Sequence, residues 1–153
     1  SSEGACFIYP SGFSYGMGYE YLEHTSDAKF RATGRDIEEV FSNAALALTG
    51  LITDPTTVRE TQSHEVDLSA RNLASLLYDF LTEVLYLFEA EHFLTARADV
   101  QVEEGERMRL TATLFGDDRT GYPLEGSVKS ITYNEMDITK TADGHAATVV
   151  IDQ

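Results

Sequence analysis

Residues 73–88 place the strongest constraint on how this chain folds, because the helix they predict is apolar on most of its circumference. Apolar residues recur there at helical spacing: Leu73, Leu76, Leu77, Phe80, Leu81, Val84, Leu85, Leu87 and Phe88, with Tyr78 and Tyr86 added. A helix of this kind is surrounded by other elements or crosses a membrane. Charged residues interrupt the stretch before it reaches the roughly 18–20 apolar residues of a membrane span. We therefore expect a central core helix, with Asn72 or Ser69 as its N-cap.

A first, amphipathic helix is predicted before it. Asp36 stands at an N-cap position, and Glu39 three residues later completes a capping-box pattern. Apolar residues follow at helical spacing as far as Gly50, which is a typical C-terminal stop. The pattern predicts a helix with a single buried stripe.

The rest of the chain predicts strands. Alternation of apolar and polar residues over 28–33 indicates a half-buried strand. Further strands are predicted at 63–68, 93–103, 108–115, 128–133, 136–141 and 146–152. Glycine-containing pairs predict hairpin turns, with a type I′ turn at Asp143-Gly144, and residues 116–126 predict an exposed loop.

These elements predict an α+β fold: two helices packed with a mixed or antiparallel set of about seven strands. At 153 residues the chain fits a single domain. Residues 1–16 are rich in Ser, Gly and aromatics and show no steady period. We interpret them as a leader, either a disordered extension or a remnant of cloning, and we expect the folded domain at 17–153.

The charge of the chain restricts its partners. Its 26 acidic and 11 basic residues give a formal net charge of −15. This disfavours direct, non-specific nucleic-acid binding, which needs clustered Lys and Arg. It suits a basic protein partner or cations, although it also serves solubility alone. The single cysteine, Cys6, excludes an internal disulfide and a thiolate zinc cluster, in agreement with a cytoplasmic location.

No enzyme motif is present. The sequence has no GxxxxGK[ST], no strand-linked GxGxxG and no GxSxG, and we assign no catalytic residue and no organic cofactor site. Residues 23–27 place two acids, His24 and two hydroxyls just before a strand, and such oxygen-rich clusters suit hard cations. The alternative is a strand-entry turn held by Thr25 and Asp27. A hydrolase using Glu23, His24 and Asp27 would need a substrate pocket and a shifted pKa.

The end of the chain offers a second group of oxygens. Ala147, Val149 and Ile151 alternate on one face of the last predicted strand, which leaves Asp152 on the other face. Gln153 adds a backbone carbonyl and a terminal carboxylate. Together with Asp27, Asp152 would give a cation two carboxylates, but sequence spacing does not show that they meet.

Residues 19–27, Tyr-Glu-Tyr-Leu-Glu-His-Thr-Ser-Asp, resemble the opening motif of the archease family, an aromatic residue followed by [DE]-H-T-A-D. Four more blocks resemble archease in the same order, at 37–48, 76–88, 128–133 and 149–152. The resemblance covers the chain from Tyr19 to its end. Each block is weak alone, but five in order are specific.

The resemblance implies an accessory protein rather than an enzyme. Archeases activate the RtcB-type RNA ligase in tRNA splicing by promoting guanylylation of the ligase histidine and multiple turnover. The family's metal site implies Asp27, Asp152 and the main-chain or terminal oxygen of Gln153 as ligands of a divalent ion, Ca²⁺ or Mg²⁺ or Mn²⁺. An alternative attached to the family is a chaperone-like modulator of RNA-modifying enzymes such as a tRNA methyltransferase.

Three positions depart from the family pattern. Asn134 stands where many members have His, and His145-Ala146 lacks a common aromatic residue. Gln153 replaces a residue that is usually apolar, which predicts a looser chain end. Neither aspartate is affected.

Overall fold

The computed structural model describes residues 18–22 and 27–153, which form two helices and seven strands in two antiparallel sheets. The elements in chain order are β1 (Gly18–Leu22), β2 (Ala28–Gly34), α1 (Ile37–Gly50), β3 (Gln62–Ala70), α2 (Leu73–Ala90), β4 (Phe93–Glu103), β5 (Met108–Asp118), β6 (Ser130–Lys140) and β7 (His145–Asp152). One sheet has the order β1-β2-β7-β6 and the other β3-β5-β4. The predicted α+β fold is confirmed, and every described strand pair is antiparallel.

Helix α2 lies in the core, as its apolar circumference predicts. Its fully buried side chains, with 0% exposure, are Leu76, Leu77, Phe80 and Leu81. Asn72 is the N-cap, since its side chain accepts a hydrogen bond from the Ser75 N–H at 2.8 Å. Tyr86 is 54% exposed, so one side of the helix does face solvent.

Helix α1 begins with the predicted cap. The Asp36 carboxylate accepts from the Glu39 N–H at 2.8 Å, while the Glu39 carboxylate accepts from the Arg35 N–H at 2.7 Å. The second bond reaches one residue further back than in a standard capping box. Gly50 ends the helix for a reason the sequence does not reveal: a Cβ there would overlap the Tyr21 hydroxyl, which donates to the Ala47 carbonyl at 2.9 Å.

Side chains of α1 cover the outer edge of β4 and so link the two sheets. The Thr49 hydroxyl donates to the Thr95 carbonyl at 2.8 Å, and the Ser42 hydroxyl donates to the Ala98 carbonyl at 2.7 Å. The Val102 N–H donates to the Glu38 carboxylate at 3.1 Å. Backbone groups that a free edge strand would expose therefore find partners on the helix.

The strand count agrees with the prediction only because two errors cancel. Strand β1 was not predicted from the sequence. The predicted strands 128–133 and 136–141 are one strand, β6, whose pairing with β7 shifts register between Thr132 and Asp137. Glu135 has a φ of 70° in this interruption, and this irregularity explains the break in the apolar period of the sequence there.

Two turn predictions are wrong. Residues 116–118 extend β5 instead of beginning an exposed loop, and Gly116 is buried beside the Leu94 carbonyl. The Asp143-Gly144 pair lies in a hairpin, but neither residue has the positive φ that a type I′ turn requires. The Thr141 N–H instead donates to the Gly144 carbonyl at 2.8 Å, which closes a longer connection between Lys140 and His145.

No helix in the described part of the chain is long and apolar enough to cross a membrane. The predicted leader, 1–16, lies outside the described residues.

Candidate functional site

The candidate site lies at one end of the β2–β7 pair. Ala28 lies opposite Ile151, Phe30 opposite Val149, and Ala32 opposite Ala147. Most of these side chains are buried: Phe30, Ala32, Val149 and Ile151 are 0% exposed, and Ala147 is 1% exposed. A one-residue slip would turn Phe30 and Ala32 to the face of β2 that carries Lys29 and Arg31, so burial favours this register.

The same strand register bears on the two predicted metal ligands, Asp27 and Asp152. Asp27 directly precedes Ala28, and Asp152 directly follows Ile151. Continuing the antiparallel register by one residue sets Asp27 opposite Asp152, and opposite residues in such a pair have Cβ atoms about 4.5–5.5 Å apart. Asp27 is half-buried and Asp152 is exposed. Two residues 125 positions apart in sequence thus lie at the same end of the two central strands of the four-stranded sheet.

Backbone and side-chain hydrogen bonds hold the last residues in place. Asp152 pairs with Ser130 of β6, and its carbonyl accepts from the Lys129 N–H at 2.8 Å. The Gln153 side-chain amide donates to the Ser127 carbonyl at 3.1 Å. The polar side chain of Gln153 thus makes a contact at this end, while the expectation that Gln153 loosens the chain end stays a prediction.

The residues that form this tether were not predicted as part of the site. Segment 125–129 is itself held against α1's end, because the Glu125 N–H donates to the Ile52 carbonyl at 2.8 Å. A Cβ on Gly126 would overlap the Leu51 carbonyl oxygen, so only glycine permits this approach. Gly126 was the one sequence signal that could have identified the contact.

The donor atoms suit a hard cation. Two carboxylates and a main-chain oxygen of Gln153 are the oxygen ligands that Ca²⁺, Mg²⁺ and Mn²⁺ prefer. The Asp152 carboxylate accepts no hydrogen bond from the described residues, so its oxygens remain available. Within 18–22 and 27–153, no group of three or more His, Cys, Asp or Glu side chains is placed to hold an ion. A site here would therefore depend on main-chain oxygens and water as well as the two acids.

A lysine of β2 close to Asp27 pairs with a carboxylate of β6. Lys29, two residues along β2 from Asp27, forms an ion pair with Glu135 at 3.9 Å. In the part of the chain that the structure describes, Glu135 is the carboxylate this lysine contacts. Residues 23–26 of the motif, including His24, lie outside the described residues.

Comparisons with known proteins agree on one family. The family model described as "Archease protein family (MTH1598/TM1083)" matches residues 19–152. An archease of Methanosarcina barkeri is 45% identical over 143 residues, which are 91% of this chain and 98% of the relative. An archease of Methanothermobacter thermautotrophicus is 34% identical over 137 residues, 88% of this chain and 98% of the relative.

Solved structures share the fold. The solution structure of Methanobacterium thermoautotrophicum protein 1598 is similar with a TM-score of 0.75 and 31% identity, covering 89% of this chain and 99% of that one. A Thermotoga maritima crystal structure, described as an archease and possible chaperone, has a TM-score of 0.53 and 18% identity, covering 86% and 94%. The second likeness concerns the fold alone.

Proposed function

The chain belongs to the archease family, and from this premise we propose that it is an accessory protein that activates an RtcB-type RNA ligase in tRNA splicing. In this proposal Asp27, Asp152 and Gln153 hold a divalent cation, Ca²⁺ or Mg²⁺ or Mn²⁺. The activation consists of faster guanylylation of the ligase histidine and repeated turnover. The chain itself performs no bond-making step.

One observation carries the metal-binding part of the proposal. The β2–β7 register pairs Ala28 with Ile151, and its continuation by one residue would set Asp27 opposite Asp152, although nothing in the sequence requires these residues to meet. Two carboxylates at neighbouring strand ends supply hard oxygen ligands of the kind that a divalent cation prefers. This pairing supports a role for the two aspartates in holding such an ion.

The chain's own residues position the site for use by a partner. Asp152 is exposed, so an ion held there lies at the protein surface. The Lys129 and Ser127 bonds fix the main chain at 152 and 153, and this limits the cost of ordering ligands when the ion binds. When bound, a divalent cation neutralises negative charge and orients oxygen ligands.

The overall charge supports an accessory role beside a separate nucleic-acid-binding protein. At a net charge of −15, this chain repels a polyphosphate backbone. RNA is therefore contacted by the ligase, while the acidic surface of this protein contacts basic surfaces of the ligase.

Guanylylation of the cognate ligase with GTP is the test. Wild-type protein should increase the rate of ligase–nucleotide adduct formation, whereas Asp27→Asn and Asp152→Asn should lose about 10-fold or more of this stimulation. Asp143→Asn, an exposed acid in the β6–β7 hairpin, is the matched control and should stimulate normally. Circular dichroism would verify that each variant is folded. Full stimulation by both site variants would refute the role of the aspartates, and no stimulation by wild type would refute ligase activation.

A chaperone-like role, with an RNA-modifying enzyme such as a tRNA methyltransferase as client, is the second candidate. The Thermotoga maritima archease is described as a possible chaperone, which is a statement about that protein and the origin of this candidate. In that case the protein would suppress aggregation of the methyltransferase, and Asp27→Asn and Asp152→Asn would act like wild type. Ligase stimulation and protection from aggregation thus separate the two candidates.

A further inference from the structure

The two edge strands of the β3-β5-β4 sheet, β4 and β3, differ in how their outer main-chain groups are covered. The outer edge of β4 is covered by α1 through hydrogen bonds from Thr49 and Ser42 and to Glu38. The opposite edge is β3 (Gln62–Ala70), which among residues 18–22 and 27–153 pairs with β5 alone. Side chains cover the edge of β4, whereas no described side chain hydrogen-bonds to the outer edge of β3.

Strand β3 has the features of an open pairing edge. Its nine residues pair with β5 without a register shift, and the segment contains no Pro, Gly or Lys to interrupt an added strand. Across the described residues, no further hydrogen bond is made by the main chain of 62–70. Such an edge presents a row of unpaired N–H and C=O groups to any strand that lies beside it.

Negative charge lines the open side of this edge. Glu65 and Asp67 point away from the buried positions Val66 and Ala70 and are exposed. They lie beside a groove of about 720 Å³ that is also lined by acids from β4 and α1, Asp99, Glu38 and Glu39. Arg109 offsets Asp67 through a hydrogen bond at 2.8 Å, whereas Glu65 has no partner among the described residues.

A second copy of this chain fits the edge poorly. The two-fold antiparallel register that pairs all nine residues of β3 with another β3 is centred on Val66. It would set Glu65 of each copy directly opposite Asp67 of the other, and like charges in that position are destabilising. The charge favours a strand with basic residues instead.

We propose that the free edge of β3 is a docking surface for an extended segment of a partner protein that carries Lys or Arg at alternate positions. The segment adds a fourth strand to the β3-β5-β4 sheet. Main-chain hydrogen bonds to 62–70 supply affinity, and Glu65 and Asp67 select basic side chains on the open face. This surface is separate from the Asp27–Asp152 end of the other sheet and does not depend on it.

The test uses a capped nine-residue peptide that alternates lysine with valine or threonine. It is added to isotope-labelled protein at low salt, and binding is followed by NMR shifts and amide exchange. The alternate amides in 62–70 that point away from β5 should become protected from exchange. A peptide of the same sequence with alternate backbone nitrogens methylated keeps the charge but loses the donors, and it should not bind.

Charge variants complete the experiment. Glu65→Lys should weaken binding of the lysine peptide about 3- to 10-fold, whereas Glu106→Lys, in the exposed β4–β5 turn, should change it less than about 2-fold. Equal binding of the methylated peptide, protection outside β3, or no binding of the lysine peptide would overturn the proposal. So would a dimer of this protein, seen by sedimentation, in which the β3 amides are already protected.

Discussion

Ala28 of β2 lies directly opposite Ile151 of β7, and the next residue outward on each strand is an aspartate. The buried residues of β2 and β7 thus determine where the two aspartates lie, although the aspartates are not part of the buried set. Apolar packing of Phe30 and Val149 sets the register, and the register sets Asp27 against Asp152. Core packing and the candidate metal site are consequences of one strand alignment.

One of the hydrogen bonds that cover the outer edge of β4 comes from the buried hydroxyl of Thr49. Thr49→Val keeps the shape of the side chain but leaves the Thr95 carbonyl, its acceptor at 2.8 Å, without a donor. We expect the free energy of unfolding to fall by about 1–3 kcal/mol, because an unpaired buried acceptor is costly. Urea denaturation measures the change. Thr139→Val, on an exposed position of β6, should change it by less than about 0.5 kcal/mol; equal effects would show that the hydroxyl is dispensable.

Close packing of β5 on β4 requires a residue without a side chain at position 116. Gly116→Ala would drive a methyl group into the Leu94 carbonyl beside the irregularity between Thr95 and Arg97. We expect a loss of about 1–3 kcal/mol in the free energy of unfolding. Gly121→Ala is the matched control, since a Cβ there meets nothing within 4 Å. A thermal midpoint for the Gly116 variant equal to wild type would contradict the described packing.

Acid stability depends in part on Asp117 near the end of β5, which contacts Thr61 in the segment that precedes β3. Hydrogen bonds from the Thr61 hydroxyl, the Tyr122 hydroxyl and the Asp118 N–H lower the pKa of the Asp117 carboxyl below its usual value. Because the folded-state pKa is depressed, this stabilisation is present above the unfolded-state pKa of about 3.9 and is lost as the pH falls through the folded-state pKa.

Asp117→Asn should therefore be less stable than wild type at neutral pH, and the difference in thermal midpoint should shrink as the pH is lowered from about 5 to about 3. Differential scanning calorimetry across this range checks the trend. Asp143→Asn, in an exposed turn, provides the background. A difference that stays constant with pH would mean that the Asp117 charge does not contribute.

The sequence predicted the parts of the fold that local patterns determine. The Asp36 and Asn72 caps, the apolar period of α2 and the apolar run of β7 each depend on local sequence. Strand β1 was missed because its five residues, Gly18–Leu22, have no clear alternation of burial and are defined by pairing with β2. The interruption in β6 was read as a strand end, because the left-handed conformation of Glu135 has no sequence signal as strong as a glycine.

The residues of the candidate site were likewise predicted only in part from the sequence. Asp27 and Asp152 were predicted as ligands through family resemblance, while their opposition depends on long-range pairing that no spacing reveals. The bonds from Lys129 to Asp152 and from Gln153 to Ser127 were not foreseen, since they join the chain end to a loop with no regular pattern. Local signals predict elements, and contacts between distant segments must be seen in the fold.

Calorimetric titration of the metal-free protein with Ca²⁺ and Mn²⁺ tests the central claim most directly. We predict one ion bound per chain by wild type and by Asp143→Asn, with binding weakened about 10- to 100-fold or lost in Asp27→Asn and Asp152→Asn. Wild-type affinity in either site variant, or no binding of any divalent ion by the wild-type protein, would contradict the claim that these two aspartates share a cation.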